Sequence, residues 1–119
     1  MSLAIETWTF DSPHPRRAAE FWAQLLGWTI DEGESDEDEV LLNPQSPGPT
    51  PILFVNSRDT KTTKNRTHLD LRPDDQAAEV ERALSLGATH VDIGQGEQTW
   101  VVLADPEGNE FCILRSLST

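Results

Sequence analysis

Two ionisable side chains in the second half of this chain have the types and positions that chemistry uses. His68 lies in the extended segment THLDL, and Glu110 heads EFCIL just after the turn DPEGN. An imidazole and a carboxylate carried on two strands can converge on a divalent cation. Such an ion would polarise a bound oxygen or assist loss of a proton beside a carbonyl. Without a metal the same pair can serve as general base and acid, or orient a polar ligand. It can also be a plain hydrogen-bonded pair, since paired ionisable groups occur as structure too. Asp70 follows His68 by two residues and shares its strand face. Cys112 shares the face of Glu110; with no base fixed beside it, it reads as a small buried residue lining a pocket rather than a nucleophile.

The elements that must hold these groups are legible from periodicity. IETWTF, Ile5 to Phe10, alternates apolar and polar residues as a half-buried strand does, with Thr7 and Thr9 on one face and Trp8 and Phe10 on the other. DSPHP breaks the chain, His14 stands at a helix entrance, and Pro15 suits a first helical turn. Ala18, Phe21, Trp22, Leu25 and Leu26 then form one apolar stripe, which Gly27 closes. WTIDEG and EVLLN predict a hairpin around an acidic loop, and PILFVNS a buried strand. The pattern then restarts. RTHLDL predicts a strand over Arg66 to Leu71, Asp75 a helix cap, QAAEVERALSLG a helix, and ATHVDIG, TWVVLA and EFCILR three strands. Thr7 stands seven residues before His14, as His68 does before Asp75, and both helices end in Leu-Gly. The chain is thus a strand–helix–strand–strand–strand unit of about sixty residues, used twice. Sheets side by side with helices outside would leave an inner concave surface. Thr7, Thr9, His68, Asp70, Glu110 and Cys112 point toward it. Trp100, opening TWVVLA, and Phe54, on PILFV, are the aromatic residues expected to wall such a pocket.

Composition narrows the class of function. The 119 residues suit one domain with a core of its own. The net charge of −12 repels phosphate backbones and anionic membranes, so neither nucleic acid nor membrane is an expected partner. Seven of the 21 carboxylates crowd into DEGESDEDE, Asp31 to Glu39, which reads as a solvated loop and lacks the spacing of a calcium loop. A lone cysteine, no apolar run long enough to span a bilayer and no signal-peptide pattern lead to the expectation of a cytoplasmic protein.

HPRRAAEFWAQLLGW in the first half, with KNRTHLDL and LADPEGNEFCIL in the second, resembles the vicinal oxygen chelate superfamily, which includes glyoxalase I, bleomycin resistance proteins and extradiol dioxygenases. More narrowly it is similar to short bacterial glyoxalase-like proteins. The resemblance implies an α+β fold of two tandem βαβββ modules, about residues 3–56 and 64–116 of one domain. It implies a curved mixed sheet around a concave pocket, a small-molecule ligand and a homodimer. Members that use a metal hold it with two side chains from each module. Carried onto this chain, the second pair is His68 and Glu110. The first-module counterparts are Thr7 and a position near Ile52 or Leu53, which are not ligands for zinc, nickel or iron. The expectation is therefore a lyase- or isomerase-type activity on a small metabolite with an incomplete or absent metal site, His68 and Glu110 carrying the chemistry. The alternative is a metal-free protein that sequesters its ligand, as the bleomycin-resistance branch does.

Overall fold

The computed structural model describes residues 2–92, 94 and 98–117. The chain forms two compact units, Met1–Thr60 and Lys61–Thr119. The first holds β1 (Trp8–Ser12), α1 (Pro15–Leu26), β2 (Thr29–Ile30), β3 (Glu39–Asn43) and β4 (Ile52–Asn56), with a short 3-10 turn at Glu32–Glu34. The second holds β5 (Leu69–Leu71), α2 (Gln76–Ser85), β6 (Thr89–His90), β7 (Val101–Ala104) and β8 (Glu110–Ile113). Each unit has a four-stranded mixed sheet, ordered β1-β4-β3-β2 and β5-β8-β7-β6. The first strand of each unit pairs parallel with the last, and the remaining pairs are antiparallel. This is the expected α+β architecture, the βαβββ order written twice.

In the first unit α1 lies chiefly against β3 and β4. Its stripe buries Ala18, Phe21, Trp22 and Leu25 with Val40, Leu42, Ile52 and Phe54 from the sheet. Phe21 and Trp22 meet edge to face, their ring centroids 5.3 Å apart. Burial of each of these large side chains is worth roughly 1.5–3 kcal/mol. The helix ends at Gly27, whose φ of 70° is left-handed, and its N–H returns to the carbonyl of Ala23.

Several boundaries differ from the sequence reading. β1 runs over Trp8–Ser12 rather than Ile5 to Phe10, and Ile5 is exposed. The strand's extent follows its partner: β4 begins at Ile52, which pairs with Trp8. Trp8 is 43% exposed, because α1 sits over the middle of the sheet and β1 is its edge. β5 is likewise confined to Leu69–Leu71, set by Phe111 to Ile113 on β8. His14, at the entrance of α1, makes no side-chain cap; its N–H donates to the Ser12 hydroxyl at 3.0 Å. Asp75 does cap α2, its carboxylate accepting the Ala78 N–H at 3.1 Å. Part of the expected ATHVDIG strand and the GQGE turn lies outside the described residues.

Candidate functional site

The second unit's sheet sorts the candidate residues onto one face. β5 and β8 run parallel with Leu69 beside Phe111, Asp70 beside Cys112 and Leu71 beside Ile113. Antiparallel β7 places Val102 beside Cys112 and Ala104 beside Glu110. Alternation therefore puts Asp70, Cys112, Val102, Ala104 and Glu110 on one face and Leu69, Phe111, Leu103 and Ile113 on the other. His68 immediately precedes β5.

Glu110 is positioned by the turn before it. Asp105 is almost fully buried and its Oδ1 accepts the N–H groups of Glu107 and Asn109, both at 2.9 Å. Gly108 takes a left-handed φ of 89°, and its N–H bonds the carbonyl of Asp105 at 2.9 Å. Asn109 ties this turn to the segment before β5, its Oδ1 accepting from the Asn65 side-chain amide at 2.9 Å. The Asn65 N–H donates to Glu110 Oε1 at 2.7 Å, and Lys61 Nζ lies 2.6 Å from Oε2. Both carboxylate oxygens of Glu110 are thus engaged, in a pair whose side chains are 7% and 19% exposed. Burial opposes the charged form of Glu110, yet the Lys61 ammonium and the Asn65 N–H outweigh it and hold the carboxyl below the usual carboxylate range.

His68 has a different partner. Its Nε2 lies 3.2 Å from Asp70 Oδ1, and both side chains are about half exposed. Beneath them Cys112 is buried, its thiol pushed up first by burial, then by the charge of Asp70 and by a hydrogen bond to it, with Lys64 opposing. One ligand atom each from His68, Asp70 and Cys112 lie within 4.8 Å of one another. The contacts thus form two clusters along one strand pair: His68, Asp70 and Cys112 in one, and Glu110, Lys61 and Asn65 in the other.

The remaining candidates scatter. Thr7 precedes β1 and bonds Thr9 through their hydroxyls at 3.1 Å. Thr9 alternates to the face opposite Phe10 and Phe54. Phe54, expected as a pocket wall, is instead a core residue 1% exposed, its ring tilted against Phe10 with centroids 5.6 Å apart. Register is the reason: Phe54 pairs with Phe10 and alternates with Leu53 and Val55, which take the other face. Trp100 stands just before β7 and is 36% exposed. Lys61, Asp105 and Asn109 were not anticipated. The DPEGNEF motif was the available signal for the latter two, since an Asp opening a Pro-Gly turn is suited to collecting its N–H groups. Nothing in the sequence marked Lys61.

A metal shared by His68 and Glu110 does not fit this arrangement. An ammonium and an N–H already hold the two Glu110 oxygens, and the first-module counterpart Thr7 is not a ligand for the metals at issue. The donor set that fits is His68, Asp70 and Cys112, whose nitrogen, oxygen and sulfur suit a borderline-soft ion.

The first unit carries an open groove of about 780 Å³ at the entrance to α1. It is lined by both signs of charge, including Arg17, Glu20, Asp36 and Glu37. Arg16, also in its lining, is tied to Glu32 through two hydrogen bonds of 2.7 and 3.1 Å.

Duplicated βαβββ units with a polar cluster on one sheet face define a class of small proteins built around tandem modules. The sequence matches the glyoxalase-like domain over residues 7–114, and the chain belongs to that family. No protein of curated function matches it significantly. Among solved structures it is similar to a glyoxalase/bleomycin resistance protein/dioxygenase family enzyme from Burkholderia phytofirmans PsJN, with a TM-score of 0.72, 20% identity, and 92% of this chain and 96% of that one covered. It is also similar to the fosfomycin resistance protein FosX from Mesorhizobium loti, with a TM-score of 0.69, 13% identity and coverages of 96% and 92%. The bleomycin resistance determinant encoded on transposon Tn5 gives a TM-score of 0.61, 18% identity and coverages of 97% and 99%. At these identities the likeness is one of fold.

Proposed function

We propose that this chain binds a small polar metabolite at the His68–Asp70 cluster and performs a glyoxalase-like, lyase- or isomerase-type proton transfer on it. The observation that carries the reading is the half-exposed imidazole held 3.2 Å from a half-exposed carboxylate. With Nε2 turned toward Asp70, Nδ1 is the ring nitrogen left to meet a ligand. Asp70 also holds the imidazole ring in one orientation. Glu110 supports the site without sharing the proton: its carboxylate ties the Lys61–Asn65 segment to β8, and that segment leads into His68. The reading includes the two units as modules of one domain, in a homodimer working in the cytoplasm.

The test is a thermal-shift screen of small carbonyl compounds, thiol adducts and aromatic metabolites, followed by turnover assays on every hit. A ligand that raises the melting temperature of the wild type is expected to be turned over, with turnover lost in His68→Ala and reduced in Asp70→Asn. Full turnover in His68→Ala would end the reading.

A second reading is sequestration, and the state of the other groups favours it. Glu110 is committed to Lys61 and burial pushes the Cys112 thiol up, which leaves His68 and its partner Asp70 as the exposed polar groups of the two clusters. A net charge of −12 also suits a cationic ligand. Fosfomycin and bleomycin, named for two of the similar structures, are direct probes. A ligand that His68→Ala binds as tightly as the wild type, without turnover by either, would favour sequestration.

A further inference from the structure

We propose that His68, Asp70 and Cys112 form a three-ligand site for a divalent borderline-soft cation, zinc above all, displaced along the strands from Glu110. It shares its cluster with the reading above but stands without it, because metal uptake is measured on the protein alone.

The register builds the site. Asp70 and Cys112 are direct cross-strand partners on β5 and β8. His68 reaches Asp70 from two residues before it, Nε2 to Oδ1 at 3.2 Å. The three donor atoms lie within 4.8 Å of one another. Zinc bonds of about 2.0–2.3 Å in a tetrahedral arrangement put donors roughly 3.3–3.8 Å apart. Closure therefore asks for about 1 Å of side-chain movement. His68 and Asp70 are half exposed and can turn, while buried Cys112 supplies a fixed point. Imidazole nitrogen, carboxylate oxygen and thiolate sulfur together select zinc over magnesium or calcium, which prefer oxygen alone. Three protein ligands leave one position open, the pattern of a zinc site that meets a substrate rather than one that only braces a fold.

The neighbouring carboxylate is excluded for a physical reason. Lys61 places an ammonium 2.6 Å from Glu110 Oε2, which is the charge a metal ion would otherwise bring there. In the other cluster the Cys112 thiol instead faces the Asp70 carboxylate directly across the strand pair. Binding replaces the thiol proton with the metal ion and releases that proton to solvent. An imidazole that has given its lone pair to the ion no longer accepts a proton, so metal-free and metal-loaded protein would meet a ligand with different groups.

The experiment uses Co²⁺ as a spectroscopic stand-in and Zn²⁺ in competition with a chromogenic chelator, on chelator-stripped full-length protein. The wild type is expected to take up one equivalent of Co²⁺ with a thiolate-to-cobalt charge-transfer band that one equivalent of Zn²⁺ abolishes. His68→Ala, on the surface and safe for the fold, should weaken zinc binding by more than the roughly ten- to hundredfold loss typical of a supporting partner. Cys112→Ser should lose the charge-transfer band, and Lys61→Met should keep it. Metal uptake without that band, or affinity unchanged in His68→Ala, would mean that only surface carboxylates bind the ion and would overturn the proposal. Loss of the band in Glu110→Gln but not in Asp70→Asn would return the metal to Glu110 and overturn it equally.

Discussion

His68 and Glu110, an imidazole and a carboxylate whose types suit a shared pair, have separate partners. Side-chain reach and local charge account for this. Asp70 is on the same strand face as His68 and lies 3.2 Å from it, whereas the Lys61 ammonium comes to Glu110 from the segment before β5. The Glu110–Lys61 pair is largely withdrawn from water, so breaking it leaves a charge stranded. Lys61→Met is expected to cost about 3 kcal/mol at neutral pH, read by urea unfolding. The pH dependence follows from the lowered Glu110 carboxyl. A depressed folded-state value contributes stability above the unfolded value, and that stability is lost as pH falls through the folded one. The difference between wild type and Glu110→Gln should therefore be full at neutral pH and shrink through the acid range below the ordinary Glu value. A difference that stays constant with pH would separate the stability of this turn from the ionisation of Glu110. His68→Ala touches an exposed group and is expected to change stability by no more than about 0.5 kcal/mol.

At the scale of elements, the helix and turn signals were the most legible. The stripe from Ala18 to Leu26 and its stop at Gly27 describe α1 as it stands, because a helix writes its period and its ends into local sequence. Asp75 was legible as a cap for the same reason. Asp75→Ala removes the acceptor for the Ala78 N–H and should destabilise by about 1 kcal/mol. Gly27→Ala forces a side chain onto a left-handed φ and should cost a similar amount, about 1 kcal/mol, both read as shifts in urea midpoint. Strand limits were less legible. Residues 5–7 have the alternation of a strand yet stand outside β1, since strand extent is decided by a neighbour and periodicity carries no record of where the neighbour ends. Phe54 was misassigned for a related reason: PILFV is apolar throughout, so only pairing with Phe10 shows which face it takes.

For the whole molecule, the duplicated order explains how short strands and one helix per unit suffice. Each unit closes a four-stranded sheet in which the first strand returns beside the last. Charge acts at this scale as well. A net −12, with seven carboxylates between Asp31 and Glu39, sets up self-repulsion that screening relieves. Raising ionic strength from about 0.01 M to 0.15 M shortens the Debye length from roughly 30 Å to 8 Å and should raise the melting temperature. A fall in melting temperature would show that attractive surface pairs such as Arg16–Glu32 outweigh the repulsion.

The repeat, the stripe and Gly27 stop of α1, the Asp75 cap of α2 and the face shared by Asp70, Glu110 and Cys112 were determined by the amino-acid sequence alone. Each rests on period, spacing or turn chemistry, which act over a few residues. Only the tertiary structure decided that Lys61 and Asn65 would hold Glu110, 49 and 45 positions away in the chain, and that the His68–Asp70 pair would sit above the Cys112 thiol. The partnerships across the sheet depend on which loop folds over which strand end, a long-range outcome of packing that no local pattern encodes.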